Sequence, residues 1–330
     1  MLTVVLYRRR ECASCDEVRE MLASLQEEIP HRLVEVDIAS SSSLRESYGE
    51  NIPVLEAGPY RLNFPFSLAD IRMTLRAAAD RQSHLLRVDE NEYRQRVQRA
   101  RSFSSSERFS YWLSRHYLAL VNLALFLYVG LAFLAPVLMK AKKTIPAKVI
   151  YTAYSPLCHQ LGFRSWFLFG EQIAYPRAAA HVEGWKTFGE ATGLDEEDFL
   201  AARAFRGNET TGYKVAICER DVAIYGGMFL FGLLFAAAKR RIRSLHALWW
   251  LLIGWIPIGL DGGTQIISQM RLSFLATILP YRESTPFLRT LTGFLFGFTT
   301  AWFGLPYIEE AMRDAKEFFE KKSVLSKVLD

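Results

Sequence analysis

The sequence predicts two fold classes joined in one chain: an α/β domain at the N-terminus, then an all-α helical membrane domain of about four transmembrane helices. Three observations carry this. Strand-like and helix-like patterns alternate over residues 1–81. Four charge-poor stretches follow near 117–139, 222–238, 245–265 and 290–308. Charge concentrates outside them, in residues 1–116 and 171–216. A helix needs roughly 20 apolar residues to cross the hydrocarbon core of a bilayer, and each stretch approaches that length.

Composition alone decides less. The chain has 330 residues, 50% hydrophobic and 13% aromatic, with a net charge of +5. Its Lys and Arg cluster beside the apolar stretches, as on membrane proteins, and no interleaving of basic and aromatic residues marks a nucleic-acid module. The expected large partner is therefore the lipid bilayer, not nucleic acid. Four cysteines, Cys12, Cys15, Cys158 and Cys218, are too few for a disulfide scaffold. Met1 leads straight into a strand-like run, so no secretory signal peptide is expected.

In chain order, residues 2–7 read as a β-rich strand. Residues 16–25 place Val18, Met21, Leu22 and Leu25 on one helical face, and residues 32–37 alternate as a second strand. Ser40 to Ser43 make a loop, residues 44–48 a helical turn, and Ile52-Pro53-Val54-Leu55 a third strand. Residues 67–81 close the domain as a helix with Ile71, Leu75 and Ala78 on one side. Strands alternating with helices imply a sheet with helices packed on its faces. Residues 82–116 are dense in Arg, Glu and Gln and read as a charged helical linker.

The membrane domain spans 117–310. Residues 149–170 are apolar but broken by Pro156, His159 and Arg164, which predicts a re-entrant or interfacial helix. Residues 171–216 form a polar loop, with a helix-like stretch at 195–205, that cannot cross. Lys239, Arg240, Arg241 and Arg243 crowd the short loop between the second and third spans and place it in the cytoplasm. Four spans then put both termini there, including the amphipathic tail at 311–330. The expected location is the cell membrane, multi-pass, with a cytoplasmic N-terminal domain.

The first chemical motif is Cys12-Ala-Ser-Cys15, between a strand and a helix. Unpaired N–H groups at a helix N-terminus stabilise the thiolate that attacks disulfides, and Arg8, Arg9 and Arg10 add positive potential. The offset lets Cys15 resolve a mixed disulfide formed at Cys12. Zinc at a lone C-x-x-C would need a second ligand pair, which this domain lacks.

Residues 2–80 resemble the glutaredoxin-like branch of the thioredoxin fold. The matching pieces are Val4-Val-Leu-Tyr7, Cys12-x-x-Cys15, Val34-Glu-Val-Asp37 and Tyr48-Gly49…Ile52-Pro53-Val54. The resemblance implies thiol-disulfide exchange at Cys12 and Cys15, and a cis Pro53 that lies against the sulfurs and shapes the substrate groove. Where that family has a glycine-rich segment that helps bind glutathione, this chain has Arg61-Leu-Asn-Phe64 and Pro65-Phe66-Ser67.

The membrane half holds a second set of polar residues: Cys158-His159-Gln160, Cys218-Glu-Arg220-Asp221, Asp261-Gly262-Gly263 and Gln265. All fall near the non-cytoplasmic end of an expected span. A carboxylate such as Asp261 is costly there unless paired. Residues from about 150 to 300 resemble a family of predicted membrane proteins, domain of unknown function 2085. The carrying motifs are Leu157-Cys-His-Gln160, Ser165-Trp-Phe-Leu-Phe-Gly170, Cys218-x-Arg-Asp-x-Ala-Ile-Tyr225-Gly, Pro257-x-x-x-Asp261-Gly-x-Thr-Gln265 and Arg289-x-x-x-Gly293. Many relatives carry cysteine at the position of Asp221, and the resemblance therefore implies a ligand set of Cys158, His159, Cys218 and Asp221, suited to zinc or another transition metal.

Three readings stay open for this cluster: a bound metal, a Cys158–Cys218 disulfide, or a hydrogen-bonded network that ties spans together. Three functions follow for the chain. The first is a membrane-anchored thiol-disulfide oxidoreductase with a thiol or disulfide partner in the cytoplasm. The second is a metal-handling or small-solute membrane protein with a redox-sensing thiol domain, and the third a non-enzymatic membrane scaffold. A thiol relay across the bilayer is disfavoured, since no cysteine lies inside an expected span.

Overall fold

The computed structural model describes residues 1–40, 44–45, 48–49, 51–101, 103–270 and 279–329. The chain divides into two compact units: Met1–Arg115 together with residues from Ala311 onward, and His116–Glu310.

In the first unit, β1 (Leu2–Arg8) and β2 (His31–Asp37) pair in parallel, with Val4 opposite Leu33 and Val5 opposite Val34. The parallel pairing requires a crossover, and α1 (Ala13–Ser24) supplies it. β3 (Val54–Ala57) lies antiparallel on the other side of β1, and β4 (Tyr60–Asn63) closes the order β2-β1-β3-β4. Gly58, at φ 58°, makes the tight turn between β3 and β4. Side-chain alternation along β1 explains its unbroken apolar run. Val4 and Leu6 join Val18, Leu22, Leu55, Ile71 and Leu75 in one core. Val5 and Tyr7 join Val34, Val36, Leu44, Tyr48 and Val54 in another, so both faces of the sheet are covered.

The structure adds β4 to the three strands expected from sequence. Its Tyr60, Arg61 and Asn63 are exposed, so this edge strand carries no alternating apolar signal. The closing helix is longer than expected. α2 runs Leu68–Val88 behind a capping box of Ser67 and Asp70, and α3 (Glu90–Arg101) carries most of the charged linker. Residues beyond 310 pack with the segment before the first apolar stretch. Lys322 Nζ lies 2.5 Å from Glu107 Oε1, and the Phe103 and Phe319 rings sit 6.1 Å apart.

The second unit is mostly helical. Among the described residues, three helices are long and apolar enough to cross a membrane: α4 (Ser105–Lys140), α8 (Glu219–Ala237) and the 286–323 part of α11 (Pro286–Leu329). On α4, Leu120, Leu123, Leu127, Leu131 and Leu134 are exposed large side chains at helical spacing, a face suited to lipid. The expected span at 245–265 is helical over 247–269, but three abutting pieces compose it: α9 (Ala247–Trp249), a π-helical stretch (Trp250–Trp255) and α10 (Ile256–Gln269). Pro257, at the start of α10, cannot donate to the preceding turn.

The apolar stretch at 149–170 forms only the 11-residue helix α5 (Thr144–Tyr154) before the chain turns irregular. At 1.5 Å per residue this is roughly half a bilayer thickness. The polar loop beyond it folds around its own core of Leu161, Phe163, Phe167, Tyr175, Phe188 and Ala202. It contains two short helices, α6 (Phe188–Thr192) and α7 (Phe199–Ala204), and a small sheet of β5 (Phe167–Leu168), β6 (Gly207–Asn208) and β7 (Gly212–Lys214) in the order β5-β7-β6.

Helices α8 and α11 touch backbone to backbone. A Cβ on Gly297 would overlap the Ile224 carbonyl, and one on Gly293 would come within 2.8 Å of the Arg220 carbonyl. Small residues four apart allow this close crossing, which lipid-exposed helices use for association. Gly304, further along α11, has nothing within 4 Å of such a Cβ. Gly297→Ala is therefore expected to destabilise the membrane unit by about 1–3 kcal/mol. Thermal unfolding in detergent should show a lower midpoint for Gly297→Ala and a midpoint near the parent's for Gly304→Ala.

Candidate functional site

The dithiol sits where β1 hands over to α1. Cys12 is the N-cap residue, extended at φ −148°, and its sulfur accepts a hydrogen bond from the Cys15 N–H at 3.2 Å. The Cys12 carbonyl accepts from the N–H groups of Cys15 and Asp16. Cys12 is half-buried and Cys15 fully buried, and their sulfurs lie side by side. The Ile52–Pro53 bond that leads into β3 is cis.

The three arginines expected to raise the local potential are engaged elsewhere. Arg8 pairs with Glu35 at 2.9 Å and Asp16 at 3.1 Å, and Arg10 pairs with Asp37 at 3.5 Å. Arg9 donates to the Gly49 carbonyl. The positive end of α1 is the feature left closest to the Cys12 sulfur, whose contact is the Cys15 N–H. Behind the loop, Tyr7 and Tyr48 stack at 4.4 Å and both hydroxyls donate to Glu56 at 3.3 Å. Burial, then the Glu56 carboxylate, pushes the Tyr48 phenol up to about 12.

The second unit gathers the other sequence-selected residues, except Asp261, around one cavity of about 250 Å³. Its walls include Cys158, His159, Cys218, Arg220, Asp221 and Gln265, with Arg164 and Arg289. Ligand-type atoms of Cys158, His159 and Cys218 all lie within 4.8 Å of one another. Asp221 lines the same cavity with its carboxylate beside Cys158, but it stands outside the set whose ligand atoms are all mutually close. Both cysteines are free thiols, and the Cys218 N–H donates to Cys158 Sγ at 3.3 Å.

Hydrogen bonding with Cys218 pulls the Cys158 thiol down, while the same bond and burial push the Cys218 thiol up. His159 keeps more than a third of its surface. Crowding nonetheless strips part of its hydration and, with Arg164 beside it, pushes the imidazole down to about 4. It is a neutral donor at physiological pH.

The carboxylate partners are the residues that sequence reasoning missed. Glu283 has no exposed side-chain surface, and Arg164, Arg177 and Arg289 all converge on it. Arg164 binds both of its oxygens, at 2.8 and 3.1 Å, and Gln265 and Gln269 each donate at 2.8 Å. Burial alone would raise the Glu283 pKa, but Arg164 and then Arg289 and Arg177 outweigh it and hold the group below the usual carboxylate range. Arg289 also donates to the buried Glu219. Asp261 takes Arg220 at 2.6 Å, Arg282 at 3.0 Å and the Ser284 hydroxyl at 2.7 Å, which supplies the partner its burial demands. The one advance signal for Glu219 was its place beside Cys218. Glu283 lies in an irregular segment with no periodicity to expose it.

Lys214 is fully buried, with Nζ donating to the Gln160 and Arg203 carbonyls at 2.7 and 2.6 Å. Burial, then Arg206, pushes its amine down to about 7.

A mixed sheet with a dithiol capping its first helix and a cis proline before the third strand defines a thioredoxin-like thiol domain. The comparisons specify it. Residues 3–92 match the family model for a glutaredoxin-like domain (DUF836), and residues 202–303 match that for a predicted membrane protein (DUF2085). The chain carries both domains. The second match begins after Cys158 and His159, so of the three clustered residues only Cys218 falls within it. The chain is also 26% identical over 204 residues to an uncharacterized protein of Methanocaldococcus jannaschii, an alignment covering 60% of this chain and 96% of that relative. No solved structure matches.

Two outcomes check this electrostatic picture. Glu283→Gln removes the charge that three guanidiniums share, and is expected to destabilise the unit by about 3–5 kcal/mol, read as a lowered unfolding midpoint. Lys214 has a folded-state pKa below its unfolded value, so the unfolded chain binds the extra proton between about pH 7 and 10. Stability should therefore rise with pH across that window, by roughly 2 kcal/mol from pH 7 to 9. That rise should be absent in Lys214→Met.

Proposed function

We propose that the chain is a membrane-anchored thiol-disulfide oxidoreductase. The observation that carries this is the Cys12 sulfur at the N-terminus of α1, half-exposed and hydrogen-bonded to an amide, with Cys15 buried behind it. Starting from the reduced pair, the Cys12 thiolate attacks one sulfur of a substrate disulfide and expels the other as a thiolate. Cys15 loses its proton and attacks Cys12 Sγ, releasing the second substrate thiol. Two electrons pass to the substrate and the Cys12–Cys15 disulfide remains. A dithiol or small thiol of the reducing compartment resets it.

Packing within the first unit supports the topology. The N-terminal end of the first long helix and the C-terminal end of the last belong to one unit, where Lys322 pairs with Glu107. Chain ends that meet on one side of a membrane require an even number of crossings. The helical run 247–269 is then the fourth span beside the three long helices. The basic loop at 239–243 supports a cytoplasmic location for this shared side.

Reduced wild type is expected to reduce a disulfide-bonded reporter peptide, with activity abolished in Cys12→Ser. Cys15→Ser should accumulate a mixed disulfide at Cys12. After reduction, Cys12 should alkylate about ten times faster than Cys15 at neutral pH. Equal, slow labelling of both, or full activity without Cys12, overturns the assignment. Tags at the two termini should both be shielded from protease added to intact cells. Digestion of one terminus alone overturns the even-crossing topology.

A further inference from the structure

Adjacent side chains ordinarily diverge, by about 100° on a helix and to opposite faces on a strand. Cys158 and His159 do not. Helix α5 ends at Tyr154, whose carbonyl accepts from the N–H groups of both Leu157 and Cys158 at 3.0 Å. Two residues on, Gln160 takes the left-handed conformation at φ 53°, which is uncommon for a residue with a side chain. Its amide holds that turn by donating to the Tyr151 and Ala216 carbonyls, each at 2.9 Å. Cys158 and His159 both lie beside Cys218, the N-cap residue of α8. A sulfur, an imidazole nitrogen and a second sulfur come within 4.8 Å of one another.

We propose that Cys158, His159 and Cys218 hold a divalent metal ion of the zinc class, with its fourth position open to the cavity walled by Arg164, Arg220, Asp221 and Arg289. The ligand types are those zinc favours. With zinc–sulfur bonds of about 2.3 Å, tetrahedral ligands stand about 3.8 Å apart, so binding requires a contraction of at most about 1 Å. His159 offers a ring nitrogen at the modest cost of a long hydrogen bond, 3.3 Å, from the Leu161 N–H to Nδ1. Two thiolates neutralise a divalent ion, which removes the penalty of leaving ionised sulfur in a buried site. Asp221 is assigned to the wall. The cavity, at about 250 Å³, has room for several waters at roughly 30 Å³ each, so water or a small anion reaches the open position. Three protein ligands and one exchangeable position distinguish reactive zinc centres from closed structural ones.

The test uses the full-length protein, purified in detergent without chelator, and metal analysis by mass spectrometry. Wild type should hold about one zinc-class ion per chain, Cys158→Ala and Cys218→Ala should lose it, and Asp221→Ala should keep it. Cys12→Ser should also keep it, which separates this site from the redox assignment. In the wild type, adding a zinc chelator should speed alkylation of Cys158 and Cys218 about ten-fold and leave Cys12 unchanged, a readout independent of variant folding. Cobalt loaded in place of zinc should give a thiolate-to-metal absorption band that shifts when azide is added. A chain that neither carries nor takes up metal overturns the proposal, as does a Cys158–Cys218 disulfide in the purified protein or metal retained in both cysteine variants. Loss of metal in Asp221→Ala, or a cobalt band indifferent to azide, overturns the open position.

Discussion

The second unit depends on a single buried carboxylate. Glu283 has no water to solvate it, and a charge stripped of water is tolerated only when protein groups replace that hydration. Arg164 approaches from the irregular segment after α5, Arg177 from the polar loop, Arg289 from α11, and Gln265 and Gln269 from α10. Elements far apart in the chain are thereby fixed to one point. Each guanidinium needs the carboxylate as much as the carboxylate needs them, since an unpaired arginine in this interior is no better solvated. Glu219 and Glu197 share the surplus positive charge through Arg289 and Arg177.

That network also sets the chemistry of the neighbouring cavity. Arg164 and Arg289 stand in the cavity wall with their charge committed to Glu283, and Arg220 stands there bound to Asp261. The two thiols and the imidazole share this wall with the paired guanidiniums. The thiol unit solves a different problem by different means. Its local arginines are spent on carboxylates and a carbonyl, which leaves the Cys12 sulfur against backbone dipoles that carry no side-chain entropy and do not titrate.

Where the local pattern determines structure, the sequence was readable. The alternation in β1 and β2, the helical spacing of Val18, Leu22, Ile71 and Leu75, and the charge-free run in α4 each report a surface buried on one side or facing lipid. The motif Cys12-x-x-Cys15 was legible because spacing and flanking elements are part of its chemistry. β4 was not, because an exposed edge strand has no apolar period. The split of 247–269 into α and π pieces depends on packing that hydropathy ignores; Gly254, for example, lies against the Thr299 hydroxyl. Cys158, His159 and Cys218 stood out by residue type, but their convergence depends on the irregular backbone after α5, which no local pattern records. Nothing local marks Glu283 as the partner of three arginines.

The pairing of residues past Ala311 with the segment before the first span has a consequence for biogenesis. Synthesis proceeds from the N-terminus, so the strands and first helices of the thiol unit emerge early, while Phe319, Glu320 and Lys322 emerge only after every membrane helix has been made. Tyr111, Phe103 and Glu107 must wait for those partners throughout insertion. Completion of this unit therefore follows synthesis of the last long apolar helix.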